Sequence, residues 1–302
     1  MLRGLLPAAI APDELRPRAH LISRPAVRML DAGDVPNGDN SMTGQAIRFD
    51  DGAVYERIMG TWSRLAGQVF LDWLAPAPGL AWLDIGCGNG AFTELIASRC
   101  APQAVHGVDP SEGQIAFART RVGRVAQFRQ GDAMDLPFGA GEFDAAAMAL
   151  VLFFVPDPAK GVSEMARVVK PGGVVAAYMW DLPGGGFPHE AMFASMRDMG
   201  LKAPEPPSPD ASRLDRMHAL WAEAGLTDID TRVITVERRF PDFAAVWETL
   251  VLLPSVAGTF AAASPGIAEE LKARVRQRLA VDAGGRVSIS ARANAVRGRV
   301  AT

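Results

Sequence analysis

Asp84, Gly86, Gly88 and Gly90 stand together in the stretch 82-WLDIGCGNGAFTEL-95, an acid followed by glycines at every second position. Glycine reaches backbone conformations closed to other residues and lets a ligand lie against the main chain with no Cβ in the way. A loop of this kind after an apolar run and before a helical pattern suits a nucleotide-like cofactor. The residues alone leave more than one reading. Gly86, Gly88 and Ala91 satisfy the dinucleotide pattern G-x-G-x-x-G/A, with Asp109 placed about twenty residues further on, where such sites hold a ribose. A bare structural turn with no ligand is the plainest alternative.

Other reactive side chains are sparse. The two cysteines, Cys87 inside the glycine loop and Cys100, read as reduced, buried thiols of a cytoplasmic protein. With two cysteines and four scattered histidines, no metal site is expected. His189, just after Gly184-Gly185-Gly186, is the best available general base, against the plainer reading of a surface histidine on a mobile loop. Tyr178 is a second, weaker catalytic candidate. His218 sits in a helical pattern with Leu214, Met217 and Leu220 and is assigned no chemistry. A net charge of -3 offers no broad basic face for a polyanion. The arginines of the C-terminal part, such as Arg274, Arg276 and Arg278, stand two apart and cannot share one helix face. No apolar run reaches the roughly 18 residues of a membrane span.

The elements that position these residues alternate along the chain. Residues 1–44 show no sustained period and read as a disordered tail, with Met42 as an alternative start; the opening MLRGLLPAAIA only loosely imitates an export signal. From residue 45 the chain becomes organised. Leu65, Val69 and Trp73 predict a helix over 55–75. Strands are predicted at 80–85, 104–109, 125–130, 143–150 and 173–180. The helices between them are placed at about 90–100, 111–122 and 159–169. That rhythm implies right-handed crossovers and a parallel sheet covered on both faces. Strands at 227–240 and 287–296 flank a helical excursion over 242–281 and are expected to pair antiparallel at one edge. The expected fold is therefore α/β: a Rossmann-like, seven-stranded, mostly parallel sheet with an inserted helical lobe before the last strand. One domain over 45–302 is expected, with a cofactor core at about 55–180 and acceptor-side helices and edge strands over 181–302.

The acid before glycines spaced by two resembles the first motif of the class I S-adenosylmethionine-dependent methyltransferases. VDPSEGQIAFAR (108–119), GDAMDLPF (131–138), FDAAAMALVLFFVPDP (143–158) and EMARVVKPGG (164–173) are similar to that family's later landmarks, in order. The small-molecule branch that includes ubiquinone- and menaquinone-pathway enzymes is the nearest likeness. The resemblance implies S-adenosyl-L-methionine as cofactor and S-adenosyl-L-homocysteine as product. It implies that Asp109 takes both ribose hydroxyls, that Asp132 and the backbone of Ala133 read adenine, and that Pro110 and Met134 pack on its faces. Ala149 and Leu150 would line the methionine end, Asp84 would position the loop, and Tyr55 and Trp62 would cover the cofactor or pack in the core.

The acceptor is expected to be a small, partly apolar molecule rather than nucleic acid. Phe153 and Phe154 stand where many members of the family carry a histidine or polar residue, which implies an apolar pocket, with Phe154 preferred as its lining. Alternation along the fifth strand puts Tyr178 and Trp180 on one side, where they can face substrate. Positioning alone can drive methyl transfer, so no base is required. A cofactor-binding protein without turnover is the alternative from another class.

Overall fold

The computed structural model describes residues 56–203, 205–253, 256 and 265–302. The expectation of a disordered 1–44 tail, and Tyr55, lie outside the described residues. A π-helical turn, Glu56–Gly60, leads into α1 (Thr61–Leu74). The core then runs β1 (Ala81–Ile85), α2 (Ala91–Arg99), β2 (Ala104–Asp109), α3 (Glu112–Val122), β3 (Gln127–Gln130), β4 (Phe143–Ala149), α4 (Pro158–Val168) and β5 (Val169–Trp180). The remainder contributes α5 (Glu190–Asp198), α6 (Leu214–Glu223), β6 (Thr227–Phe240), α7 (Phe243–Leu250), α8 (Pro265–Arg278) and β7 (Val287–Arg299).

Seven strands form one sheet in the order β3-β2-β1-β4-β5-β7-β6. The first five are parallel, and β7 runs antiparallel to both β5 and β6. The chain builds outward from β1 through β2 to β3, then returns to lay β4 on the other flank of β1. That reversal opens a crevice at the carboxyl ends of the strands.

The apolar runs of the central strands follow from burial on both faces. Trp82, Ala145, Ala147, Ala176, Tyr178 and Trp180 turn to one face, where Phe70 of α1 and Phe92 and Ile96 of α2 cover them. The residues between them, including Leu83, Ile85, Met148, Ala177 and Met179, turn to the other, against Val162 and Met165 of α4 and Trp221 of α6. Trp221 is fully buried and satisfies its indole N–H on the carbonyl of Val175 at 3.0 Å. Side-chain caps start three helices: Ser111 accepts from the Gln114 amide, Asp157 from Lys160 and Asp242 from Ala245.

Most predicted segments match within a residue or two. β5 begins at Val169 rather than 173, because Val169 pairs with Phe143 ahead of a register shift and Gly172 turns at φ 77°. β7 continues to Arg299, three residues past the predicted end, held by Val174 and Thr227 on either side. Among the described residues, no helix is long and apolar enough to cross a membrane.

The segment after β3 is held by an ion pair. Glu164 of α4, its side chain 7% exposed, accepts from the Leu136 amide at 2.9 Å and from Arg167 at 2.6 Å. Arg167 in turn donates to the carbonyls of Phe138 and Leu136. The Arg167 bond, aided by the Leu136 amide, outweighs burial and holds the Glu164 carboxyl down to about 2 against an ordinary 4.5. A depressed carboxyl contributes stability above its unfolded value and loses it as pH falls through the folded one. Urea unfolding should therefore show stability falling between pH 4.5 and about 2, with a shallower fall in Glu164→Gln. Glu164→Ala, which leaves the Leu136 amide without its acceptor and Arg167 without its counter-charge, should cost about 1–3 kcal/mol at neutral pH.

Candidate functional site

A cleft of about 620 Å³ opens at the carboxyl ends of β1, β2, β4 and β5, at the reversal of strand order. Its floor is the loop after β1. Gly86 and Cys87 donate their amides to the Val108 carbonyl at 2.7 and 3.0 Å, which pins the loop to the end of β2. Gly86, Gly88 and Gly90 all adopt positive φ, at 70°, 51° and 80°. Their surroundings differ. A Cβ on Gly86 would stand 2.5 Å from Val151, one on Gly90 would press on Ala118 and Val122 of α3, and one on Gly88 would meet nothing within 4 Å. Gly86 and Gly88 line the cleft; Gly90 does not, and serves the packing of α2 on α3.

Asp109 closes the second side. Its Oδ2 accepts from the Gly88 amide and its Oδ1 from the Ser111 amide, each at 2.9 Å. The carboxylate thus joins the loop after β1 to the start of α3 while lining the cleft, and each oxygen keeps a further lone pair. Burial pushes its carboxyl up from the ordinary value, against the pull of those two amides. Asp84 lies beneath the loop, 1% exposed and outside the cleft lining. Thr93 donates its hydroxyl to Asp84 Oδ2 at 2.6 Å, while Oδ1 is buried without a partner. Burial raises Asp84 to about 7; the Thr93 hydrogen bond opposes this and the charge of Asp109 adds to it.

The remaining wall is mostly apolar. Pro110, Ala149, Leu150, Phe154 and Tyr178 line it. Leu150 sits in the left-handed region at φ 64° and donates its amide to the Tyr178 carbonyl at 2.8 Å, so a strained residue turns the chain at the cleft edge. Tyr178 is 1% exposed, packs on Phe70 and Phe92, and donates its hydroxyl to the Ser63 carbonyl. Phe153, by contrast, belongs to the core under α4.

Several expectations are corrected. Asp132, Ala133 and Met134 do not line the cleft. The Asp132 side chain instead accepts from the Met134 amide at 2.8 Å, capping its own turn, while Ala133 and Met134 pack against the α4-side core. Trp62 and Trp180 are buried in the α1-side core and do not line the cleft. His189 is no surface residue: it is 3% exposed at the start of α5, also outside the cleft lining. Burial, with the charge of Arg238, pushes its imidazole down to about 3, so it is neutral at physiological pH. Gly184-Gly185-Gly186 is braced rather than mobile. Arg292 donates to both Asp181 and the Gly184 carbonyl, and the Arg292 amide bonds to Gly186.

Sequence reasoning missed Ser63, Asn89, Phe92, Ser111 and Gln114 in the cleft lining. Ser63 and Gly67 stand four apart on α1, and small residues at that spacing are the signal of a close approach. A Cβ on Gly67 would lie 3.1 Å from the Tyr178 hydroxyl. Cys87 and Cys100 are free, buried thiols, as expected.

A sheet of order 3-2-1-4-5-7-6 with an antiparallel seventh strand, and a glycine loop and acid at the switch point, defines the class I methyltransferase fold. Residues 83–177 match the family model described as "Methyltransferase domain". Over 106 residues the chain is 39% identical to a demethylmenaquinone methyltransferase of Desulfitobacterium hafniense, covering 33% of this chain and 42% of that protein. Over 164 residues it is 34% identical to the O-methyltransferase cnsE of Penicillium expansum, covering 52% of this chain and 55% of that one. The chain spans about half the length of these curated relatives. Phosphoethanolamine N-methyltransferase 2 of Haemonchus contortus, solved with S-adenosyl-L-methionine, shares the fold at a TM-score of 0.52 and 23% identity, over 83% of this chain and 57% of that one.

The glycines should separate by experiment. Gly86→Ala should lower unfolding free energy by about 3 kcal/mol, from positive φ and overpacking on Val151. Gly88→Ala should cost only about 1–2 kcal/mol, the conformational penalty alone. Urea titration of the two variants against wild type measures the difference.

Proposed function

We propose that this chain binds S-adenosyl-L-methionine in the cleft and transfers its methyl group to a small, partly apolar acceptor, releasing S-adenosyl-L-homocysteine. The observation that carries the reading is Asp109, a carboxylate fixed by the Gly88 and Ser111 amides at the mouth of a glycine loop, with lone pairs left for ribose hydroxyls. The surroundings fit the cofactor. Gly88 presents bare backbone to open space, and Asp84 keeps a buried oxygen without a partner. Two buried carboxyls held toward their neutral forms favour a cationic ligand, since a positive charge nearby restores their ionisation. Pro110 would rest on the adenine, and Ala149 and Leu150 would flank the methionine end. In this reading Asp132, whose Oδ1 caps its own turn, meets adenine through its other oxygen.

When bound, the cofactor supplies a methyl carbon made electrophilic by the adjacent positive sulfur. The chain's own task is then to place a nucleophile in line and keep water out. Such positioning can lower a barrier by roughly 7–11 kcal/mol. Phe92, Phe154 and Tyr178 supply an aromatic wall for an apolar acceptor on that side of the cleft. The C-terminal arginines favour a small acceptor over a polynucleotide, because Arg274, Arg278, Arg286 and Arg297 are each paired with an acid.

Calorimetry with S-adenosyl-L-homocysteine tests the cofactor site. Asp109→Asn, which keeps an acceptor for one amide, should weaken binding by about 12- to 150-fold, the range of a lost hydrogen bond to a charged group. Unchanged affinity in a folded variant counts against the assignment. In wild type, affinity should rise as pH rises toward 7 and level off above it, because an ammonium-bearing ligand favours ionised Asp84. Isotopically labelled methyl donor incubated with a metabolite extract, read by mass spectrometry, tests turnover; binding without any labelled product identifies a non-catalytic protein.

A further inference from the structure

A second cavity, of about 350 Å³, lies at the opposite end of the sheet from the cleft. One row of register partners lines it. Trp82 of β1 pairs with Ala145 of β4, Ala145 with Val174 of β5, and Val174 with Arg299 of β7. Side chains at paired positions share a face of the sheet, so all four project on the α1 side. Trp82 and Ala145 are accordingly buried in the α1-side core, and Val174 packs against it. Three strand spacings set the Cα atoms of Trp82 and Arg299 about 14 Å apart. Between them the short side chains of Ala145 and Val174 leave a trough, and Leu74, Pro76 and Leu80, from the end of α1 and its connection to β1, complete its apolar wall.

A polar group stands at each end of the row. Trp82 is fully buried, and its Nε1 has no hydrogen-bond partner. Buried polar groups in folded proteins are almost always satisfied, so an orphan calls for a physical reason. Trp62 and Trp180 also keep unpartnered indole nitrogens on this face, but neither of them lines the cavity, and Trp82 does. At the other end Arg299 donates to the Gly172 carbonyl and enters no ion pair among the described residues. Arg297, two residues earlier on the same face of β7, is by contrast paired with Asp230 and lies over Trp73. Lys170 lines the cavity too, but Asp144 meets its charge at 2.7 Å while its other oxygen takes the Ala81 amide. The charge left over in the lining is the positive one of Arg299.

We infer that this trough is a second small-molecule site, separate from the cleft, for a small apolar acid. The carboxylate pairs with Arg299, the body lies over Ala145 and Val174, and an oxygen at the far end accepts from the Trp82 indole. With one nitrogen on the Gly172 carbonyl, the guanidinium keeps further N–H groups for a carboxylate. A sugar acid would leave its hydroxyls unpaired against Leu74, Leu80 and Val174. The volume lies near the lower end for small-molecule sites and suits a body of about one ring. Ala145 and Val174 stand four residues ahead of Ala149 and Tyr178, which line the cleft, a separation of about 13 Å along the strands. Both sites can therefore be filled at once.

The probe is 4-hydroxybenzoate, with 4-hydroxybenzamide as its uncharged counterpart and 4-methylbenzoate as the acid without a far-end acceptor. Protein carrying ¹⁵N-labelled tryptophan has six indole signals, and that of Trp82 is assigned by its loss in Trp82→Phe. Each probe is titrated with and without S-adenosyl-L-homocysteine, and calorimetry reads the affinities independently of that assignment. The expected result is a saturable downfield shift of the Trp82 indole proton by 4-hydroxybenzoate, unchanged by S-adenosyl-L-homocysteine. 4-Methylbenzoate should bind without that downfield shift, and the amide should bind at least tenfold more weakly. Arg299→Gln, at an exposed position, should weaken the acid at least tenfold, and Val174→Phe, which fills the trough, should abolish binding. An unshifted Trp82 signal, an equal downfield shift with 4-methylbenzoate, or equal binding of the amide overturns the inference. So does undiminished binding by Arg299→Gln, or a shift lost on adding S-adenosyl-L-homocysteine, which would place the probe in the cleft. If Val174→Phe does not fold, Arg299→Gln decides alone.

Discussion

The carboxylate of Asp109 joins two backbone segments that come from different crossovers. The Gly88 amide belongs to the loop after β1 and the Ser111 amide to the entry of α3, and both donate to this one side chain at 2.9 Å. Burying a carboxylate is costly unless donors surround it. Here the donors are main-chain amides that would otherwise be orphans at the ends of their own elements. Their attraction does not fully offset desolvation, since the Asp109 carboxyl is still raised. Beneath it Asp84 is raised further, to about 7, in part by the charge of Asp109. Asp109 at the side of the cleft and Asp84 beneath its floor are thus a pair of acids whose ionised forms gain from a cation placed in the cleft. The hydrogen bonds that shape the loop also give it a charge preference.

The three glycines look equivalent in the sequence and are not equivalent in the structure. Gly86 is glycine because Val151, at the end of β4, leaves no room for a Cβ. Gly90 begins α2 in a left-handed conformation and lets α3 pack close. Only Gly88 combines a positive φ with empty space on the cleft side. One glycine therefore presents bare backbone to a ligand, while its neighbours set the turn and the packing that hold it there.

Much of the fold was legible because strands buried on both faces must be apolar throughout, and crossover helices must separate them. AVHGVD and TDIDTRVITVERRF were bounded to the residue. The parts of the site that depend on one strand end and its loop were legible too, as Asp109, Pro110, Leu150 and Tyr178 show. What failed required knowing which of two neighbours turns inward. Trp62 goes to the core and Ser63 to the cleft, although both sit in the same helical turn. Asp132 has an amide two residues away, and local capping takes up one of its oxygens. His189 follows three glycines and a proline, which reads as surface loop. The structure instead buries it at the start of α5, with Phe187 edge-on to its ring.

The glycines of 184–186 carry the same lesson to the acceptor side. A run of glycines after a strand suggests mobility, but Gly184 and Gly186 are required by close packing and Gly185 by its φ of 70°. A Cβ on Gly184 would fall 2.1 Å from the Asp181 carboxylate, and one on Gly186 would fall 2.4 Å from the Arg292 carbonyl. Asp181 receives Arg292 Nε and Nη2 at 3.0 and 2.7 Å, and its side chain is 13% exposed, a sheltered fork that an exposed single bond would not match. The loop is therefore a brace between β5 and β7. It fixes the path from Tyr178, at the cleft, to His189, in the core beside β6.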